Sequence, residues 1–335
     1  MKVDSGLTAL DLHAIPAAAK EIEELGFDAM ITAETSHDPL FPLLLAAEHT
    51  ERVQLMTSIV VAFARSPMTL AAQAHDLNSY SKGRLVLGLG SQIKPHITKR
   101  FSMPWSKPAA RMREFILAMR AVWDCWYQGK PLDFRGEFYT HTLMTPMFTP
   151  QDTQYGAPKV VLAAVGPLMS RVAGEVADGL IAHAFTTKAY MEKVTLPAIA
   201  EGLERSGRSR DDFELIYPGF VVTGPDDETF EATRTAVCKQ IAFYGSTPAY
   251  RPVLETHGWG ELQDELNFMS KRGEWDEMGT RITDEILNEF AVVGQPNEIV
   301  PAFKERFGGV VDRTTMRFAW ADDSTAREMV AELQS

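Results

Sequence analysis

Short apolar, β-branched runs alternate with longer stretches of helical periodicity along the whole chain. That rhythm marks βαβ units, which build a parallel sheet. Eight runs read as strands, near residues 2–5, 29–32, 53–61, 85–89, 160–164, 180–182, 214–222 and 310–318. Eight such repeats predict an α/β fold, a single (β/α)8 TIM barrel over residues 1–335. Two connections are too long for simple loops. Residues 91–158 follow strand four and residues 223–309 follow strand seven, and both read as insertions into one barrel.

Helix starts are well signalled. Ser66-Pro67 offers a capping hydroxyl and a proline for the first helical position, ahead of 68–80. Pro108 opens a periodic stretch reaching about Gln128, Gly166-Pro167 opens 168–176, and Gln295-Pro296 opens 297–307. Gly26 and Gly308 stand where a left-handed helix stop is expected. Pro197 is expected to split 187–205, because an interior proline removes a hydrogen bond and clashes with the preceding turn. The insertion 223–309 reads as mostly helical.

Composition narrows the classes. With 45% hydrophobic and 23% charged residues, the 335-residue chain can bury a sizeable core. Its formal net charge of −12 argues against a nucleic-acid partner, whose phosphates need a basic footprint. Cys125 and Cys238 form no CxxC pair and no metal spacing, so a disulfide framework and a zinc site are not expected. Cys125, among Trp123 and Trp126 at helical spacing, reads as core packing. No run approaches the ~18 apolar residues of a membrane span, and Met1-Lys2-Val3-Asp4 does not begin a signal peptide. The expectation is a cytoplasmic protein with a small-molecule substrate and no membrane partner.

In a (β/α)8 barrel the chemistry sits where strands end and loops begin. After strand two come Glu34, Thr35, His37 and Asp38. Strand three carries Ser58-Ile59 and runs on to Arg65. Strand four ends Gly88-Leu89-Gly90-Ser91-Gln92, with Lys94 and His96 beyond; strand six ends at His183. Strand five ends Ala164-Val165-Gly166-Pro167-Leu168, a small-residue turn leading straight into a helix. Free N–H groups and the positive end of a helix dipole suit a phosphate, and a glycine lets it approach the backbone. The same turn reads equally as a plain helix start. Glu34 and Asp38 read either as proton-transfer groups or as solvated or capping acids.

Three blocks resemble the luciferase-like superfamily. The first comprises Val53–Val61, the turn Arg65-Ser66-Pro67 and Ser81-Lys82-Gly83-Arg84 leading to Gly88-Leu89-Gly90. The second, Ala164–Met169 followed by Ala173-Gly174-Glu175-Val176-Ala177-Asp178-Gly179, resembles the deazaflavin-dependent branch, which includes methylene-tetrahydromethanopterin reductases and coenzyme F420-dependent glucose-6-phosphate dehydrogenases. The third, Phe290–Ile299, is similar to the segment preceding strand eight.

The resemblance implies an oxidoreductase that transfers hydride at C5 of bound coenzyme F420. It implies a non-prolyl cis peptide at Ser58–Ile59 behind the cofactor ring. It places the phosphate at Val165, Gly166, Pro167 and Leu168, beside Ala164. Thr35, Gly88, Gly90, Ser91 and His183 are the further cofactor-binding candidates. Glu34 matches the family's acid after strand two, but Thr35 stands where relatives have a histidine, which puts sugar-phosphate dehydrogenase activity in doubt. The loop after strand four lacks the usual glutamate, leaving His96 as the substitute candidate for proton transfer, with Glu34 the other catalytic candidate. The loop 91–106 and the segment Tyr244 to Tyr250 are expected to close over the substrate. Relatives commonly form homodimers. Two alternatives stay open: an FMN-dependent monooxygenase of the same superfamily, and a non-catalytic flavin- or deazaflavin-binding protein.

Overall fold

The computed structural model describes residues 1–7 and 11–335. Eight parallel strands follow the chain: β1 Lys2–Gly6, β2 Ala29–Thr32, β3 Gln54–Thr57, β4 Leu85–Gly90, β5 Lys159–Ala164, β6 Gly179–Ala182, β7 Glu214–Tyr217 and β8 Arg313–Thr315. Their hydrogen-bonded order is β3-β2-β1-β8-β7-β6-β5-β4, and β3 also pairs with β4, so the order closes on itself as a (β/α)8 barrel. The long connections 91–158 and 223–309 fall after β4 and β7, as expected.

Three expected strands are shorter than their apolar runs, the run 310–318 keeping only Arg313–Thr315. The run 53–61 stops at Thr57, and Val60–Val61 resumes beside Leu89-Gly90. The run 214–222 breaks at Pro218-Gly219, since proline cannot donate to the ladder. Phe220–Val222 then pairs with Ala291–Val293 in a separate two-stranded sheet. The second insertion is therefore not purely helical. Its strand lies inside a block whose likeness to relatives was plain but whose pairing partner was not.

The chain forms two compact units. The first comprises Asp4–Ile181 and Ala198–Glu214. Its core includes Phe63, Phe115, Met119 and Trp123, all buried. Helix Pro67–Tyr80 begins on the Ser66 hydroxyl, which accepts the Thr69 N–H at 3.1 Å. Several motif residues prove to be scaffold. Arg84 of the Ser-Lys-Gly-Arg turn donates to the carbonyls of Ala47, Thr50, Val53 and Ser81, tying one helix end to β3 and β4. Asp178 accepts the Val160 N–H at 2.8 Å and both its oxygens lie 3.1 Å from Arg120 Nη2, which fixes the start of β5. Gly174 and Gly202 let helix Pro167–Val176 and helix Leu196–Ser206 touch: a Cβ on Gly174 would lie 2.3 Å from the Ile199 carbonyl. In the insertion, Glu114 accepts three backbone N–H groups, of Glu137, Phe138 and Tyr139, and so pins the short hairpin 134–141 to helix Pro108–Gln128.

The second unit comprises Met1–Val3, Ala182–Pro197 and Leu215–Ser335. Phe185, Phe220, Leu266 and Phe290 lie in one buried cluster. Helix Pro296–Phe307 opens on a capping box, in which Glu298 accepts the Gln295 N–H at 3.0 Å.

Some local expectations need correction. Gly26 is left-handed at φ +89°, but Gly308 has φ −57° and Gly309 takes the left-handed position at φ +82°. The chain thus turns one residue later than the last apolar position suggests. The break in 187–205 is a wide five-residue turn, Met191–Thr195, placed before Pro197. Proline sits at the second position of the next helix, where a missing N–H costs little. Cys125 is half-buried, not core, while Cys238 is buried. Among the described residues, no helix is long and apolar enough to cross a membrane and no cluster of His, Cys, Asp or Glu could hold a metal ion.

Candidate active site

In the first unit, the ends of β2, β3 and β4 meet at a bulge. The Ser58–Ile59 peptide is cis, at the bond the family resemblance indicated. The end of β2 holds it at two points. Ser58 N–H donates to the Thr32 carbonyl at 2.7 Å, and the Ile59 carbonyl accepts the Glu34 N–H at 3.2 Å. Thr57 and Val60 are buried, whereas Ser58 and Ile59 stay partly open. The Ser58 hydroxyl makes no hydrogen bond among the described residues.

Gly88 and Gly90 explain themselves against this bulge. A Cβ on Gly88 would stand 1.8 Å from the Thr57 carbonyl oxygen. A Cβ on Gly90 would stand 2.8 Å from the Ile59 side chain. The Thr57 hydroxyl bridges the same strands, accepting the Gly88 N–H and donating to the Gly88 carbonyl, both at 2.9 Å. Both glycines therefore serve the close approach of β4 to the bulge.

Glu34 sits in an ion pair. Its Oε2 accepts the Val61 N–H at 2.8 Å and Arg65 Nη1 at 2.6 Å. Arg65 Nη2 reaches Asp38 Oδ2 at 2.8 Å, and Asp38 Oδ1 accepts the Leu40 N–H at 2.8 Å. The Glu34 and Arg65 side chains are only 8% and 14% exposed. Sequence reasoning named both acids and passed over Arg65 as their partner. A cation just past β3 opposite acids just past the adjacent β2 was the available signal.

The loop after β4 is mostly exposed. Ser91 donates to the Gln92 carbonyl at 3.2 Å, and Gln92 turns the chain at φ +58°. His96 begins the exposed turn His96–Arg100, and its ring makes no hydrogen bond among the described residues. Arg100 donates to the carbonyl of the exposed Thr35, joining this loop to the loop after β2. Arg100 is a second residue the sequence reading missed.

After β5, Ala164 is buried, Val165 and Gly166 are half-buried, and Leu168 is 63% exposed. Gly166 is the N-cap of helix Pro167–Val176, with φ −93° and no side-chain cap. Nothing lies within 4 Å of the position its Cβ would occupy. Neither backbone conformation nor packing demands glycine there. What the glycine leaves is open space before an uncapped helix end, a cradle that a phosphate fits.

In the second unit, His183 follows β6. Its Nδ1 accepts the Phe185 N–H at 3.0 Å. Its ring centroid lies 4.6 Å from Tyr244, edge-on, and 4.8 Å from Tyr250. Burial pushes its pKa down to about 4, so the imidazole is neutral at pH 7.

Comparisons agree with this architecture. A protein of Mycobacterium tuberculosis described as uncharacterized is 57% identical over 296 residues, covering 88% of this chain and 87% of its own. The 5,10-methylenetetrahydromethanopterin reductase of Archaeoglobus fulgidus is 29% identical over 294 residues, covering 85% of this chain and 83% of its own. Among solved structures, the coenzyme F420-dependent tetrahydromethanopterin reductase of Methanopyrus kandleri superposes with a TM-score of 0.78 at 22% identity, over 98% of this chain and 96% of that one. The luciferase-like monooxygenase family matches residues 2–313, and the chain belongs to that family.

Proposed function

We propose that the protein is a coenzyme F420-dependent oxidoreductase that moves a hydride between the deazaflavin C5 and a small organic substrate. The observation that carries this reading is the Gly166 turn: an open cradle in front of an uncapped helix end, at the end of a barrel strand. The 5,10-methylenetetrahydromethanopterin reductase of A. fulgidus and a coenzyme F420-dependent oxidoreductase of M. tuberculosis, 28% identical to this chain, point the same way.

Val165, Gly166, Pro167 and Leu168 would hold the phosphate. The helix end supplies unpaired N–H donors and favourable dipole potential, each effect worth about 0.3–1 kcal/mol where exposed. Ser58 and Ile59 would back one face of the ring, with Thr35 and Ser91 at its edges. Bound deazaflavin supplies the two-electron hydride chemistry. The chain's own tasks are to orient, to exclude water and to manage a proton. Glu34 serves the first of these, since its carboxylate already takes two donors and its N–H holds the Ile59 carbonyl. His96 is the remaining candidate for the proton, its ring being unengaged on an exposed turn.

Titrating the purified protein with coenzyme F420 and with FMN side by side tests the reading. Saturable F420 binding at least ten times tighter than FMN is expected. Tighter FMN binding would transfer the assignment to the oxygen-using branch.

A further inference from the structure

We propose that His183 and Tyr250 form a fixed pair of hydrogen-bond donors for a neutral carbonyl oxygen on an apolar, planar group of the substrate. The inference rests on the hydride-transfer reading and names part of its substrate.

The tautomer of His183 follows from its contact. Nδ1 accepts the Phe185 N–H, so the ring proton is on Nε2. That Nε2–H has no partner among the described residues. Tyr250 is in the same position. Its N–H is used, donating to the Thr247 carbonyl at 2.9 Å, while its hydroxyl makes no hydrogen bond among the described residues. Half-buried polar groups left this way find partners in a ligand or in water.

The surroundings select the ligand. Tyr244 and Tyr250 flank the imidazole, and Phe185 behind them stacks on Phe290 at 4.6 Å. These walls suit a flat, apolar group. No charged side chain perturbs His183; burial alone sets its neutral state. A buried anion would lack a countercharge, at considerable cost. A carbonyl oxygen has two lone pairs and matches two donors without charge.

The pair is also held in place. Pro248–Tyr250 is a tight turn whose preceding carbonyl, of Ser246, accepts Gln263 Nε2 at 3.2 Å and Asn267 Nδ2 at 2.8 Å. A Cβ on Gly245 would meet Leu266 at 2.9 Å, so helix Gly260–Arg272 presses closely on the segment carrying both tyrosines. Anchored donors lose little freedom on binding.

The test uses the full-length, cofactor-free chain labelled with ¹⁵N-histidine, and two probes of equal shape, cyclohexanone and methylenecyclohexane. Saturable movement of the His183 Nε2 resonance with cyclohexanone, and not with methylenecyclohexane, is expected. Cyclohexanone affinity should fall about fivefold to tenfold in His183→Phe and in Tyr250→Phe, as for a lost neutral hydrogen bond. His183→Gln, which keeps an N–H donor, should stay within about twofold of the parent. Equal response to both probes, no saturable shift, or full affinity in His183→Phe would overturn the proposal. If His183→Phe fails to fold, the two-probe comparison on the parent chain decides alone. No hydride carrier is present, so this outcome is separate from that of the F420 titration.

Discussion

Arg65 Nη1 lies 2.6 Å from Glu34 Oε2, and the same guanidinium reaches Asp38 at 2.8 Å. The fork of one arginine spans two acids of the loop after β2, while the Glu34 backbone holds the Ile59 carbonyl. Glu34→Gln should therefore weaken the fold. A mostly buried guanidinium would keep Asp38 and the Val61 carbonyl but lose one of its two countercharges, and a loss of about 2 kcal/mol in urea unfolding is expected. Were Glu34 instead a proton carrier with no structural duty, the variant would keep its unfolding midpoint and lose turnover alone.

Gly166 behaves oppositely. Its φ of −93° suits any residue and no atom stands within 4 Å of its missing Cβ. Gly166→Ala should leave the melting temperature within about 1 °C of the parent, because surface changes away from special features stay within about 0.5 kcal/mol. Coenzyme F420 affinity should fall nonetheless, and Gly166→Glu should weaken it further by bringing a negative charge to the phosphate. Unchanged affinity in both variants would place the phosphate elsewhere.

The barrel was legible because strand and helix periods differ and because eight strand-like runs recur between helices. Where the reading failed, hydrogen-bond pairing decided matters that apolar runs cannot express. The run 214–222 looks like one strand, yet Phe220–Val222 leaves the ladder to join Ala291–Val293. The site was legible as residue types at strand ends. Their roles were not, since Glu34 as acid and Glu34 as ion-pair partner have the same sequence. Only the position of Arg65 separates the two. Likewise the Asp178-Gly179 part of the second motif reads as family signature but acts on strand starts, through Val160 and Arg120.

The approach of Gly88 to Thr57 gives a third prediction. A Cβ there would lie 1.8 Å from a backbone oxygen, which no rotamer change can relieve. Gly88→Ala should cost about 3 kcal/mol or more, the upper part of the range for overpacking. Chemical denaturation of the variant against the parent measures it. Gly90→Ala should cost less, because the obstructing atoms belong to the Ile59 side chain, which can shift. A smaller loss in Gly88→Ala than in Gly90→Ala would mean that the two strands are not in register as described.

Burial of His183 makes stability depend on pH in a definite direction. Its pKa falls from 6.5 to about 4 in the folded chain. Between those values the unfolded chain holds a proton that the folded chain does not, so acid favours unfolding. The stabilisation is complete above pH 6.5 and is lost as pH falls toward 4. At 1.36 kcal/mol per unit, the loss from this group amounts to about 3 kcal/mol. Other groups titrate over the same range, so the parent must be compared with His183→Gln, which has no proton to take up. Urea unfolding at pH 7 and pH 4 should show the parent losing about 3 kcal/mol more than the variant. Equal losses would mean that the imidazole is solvated in the folded chain.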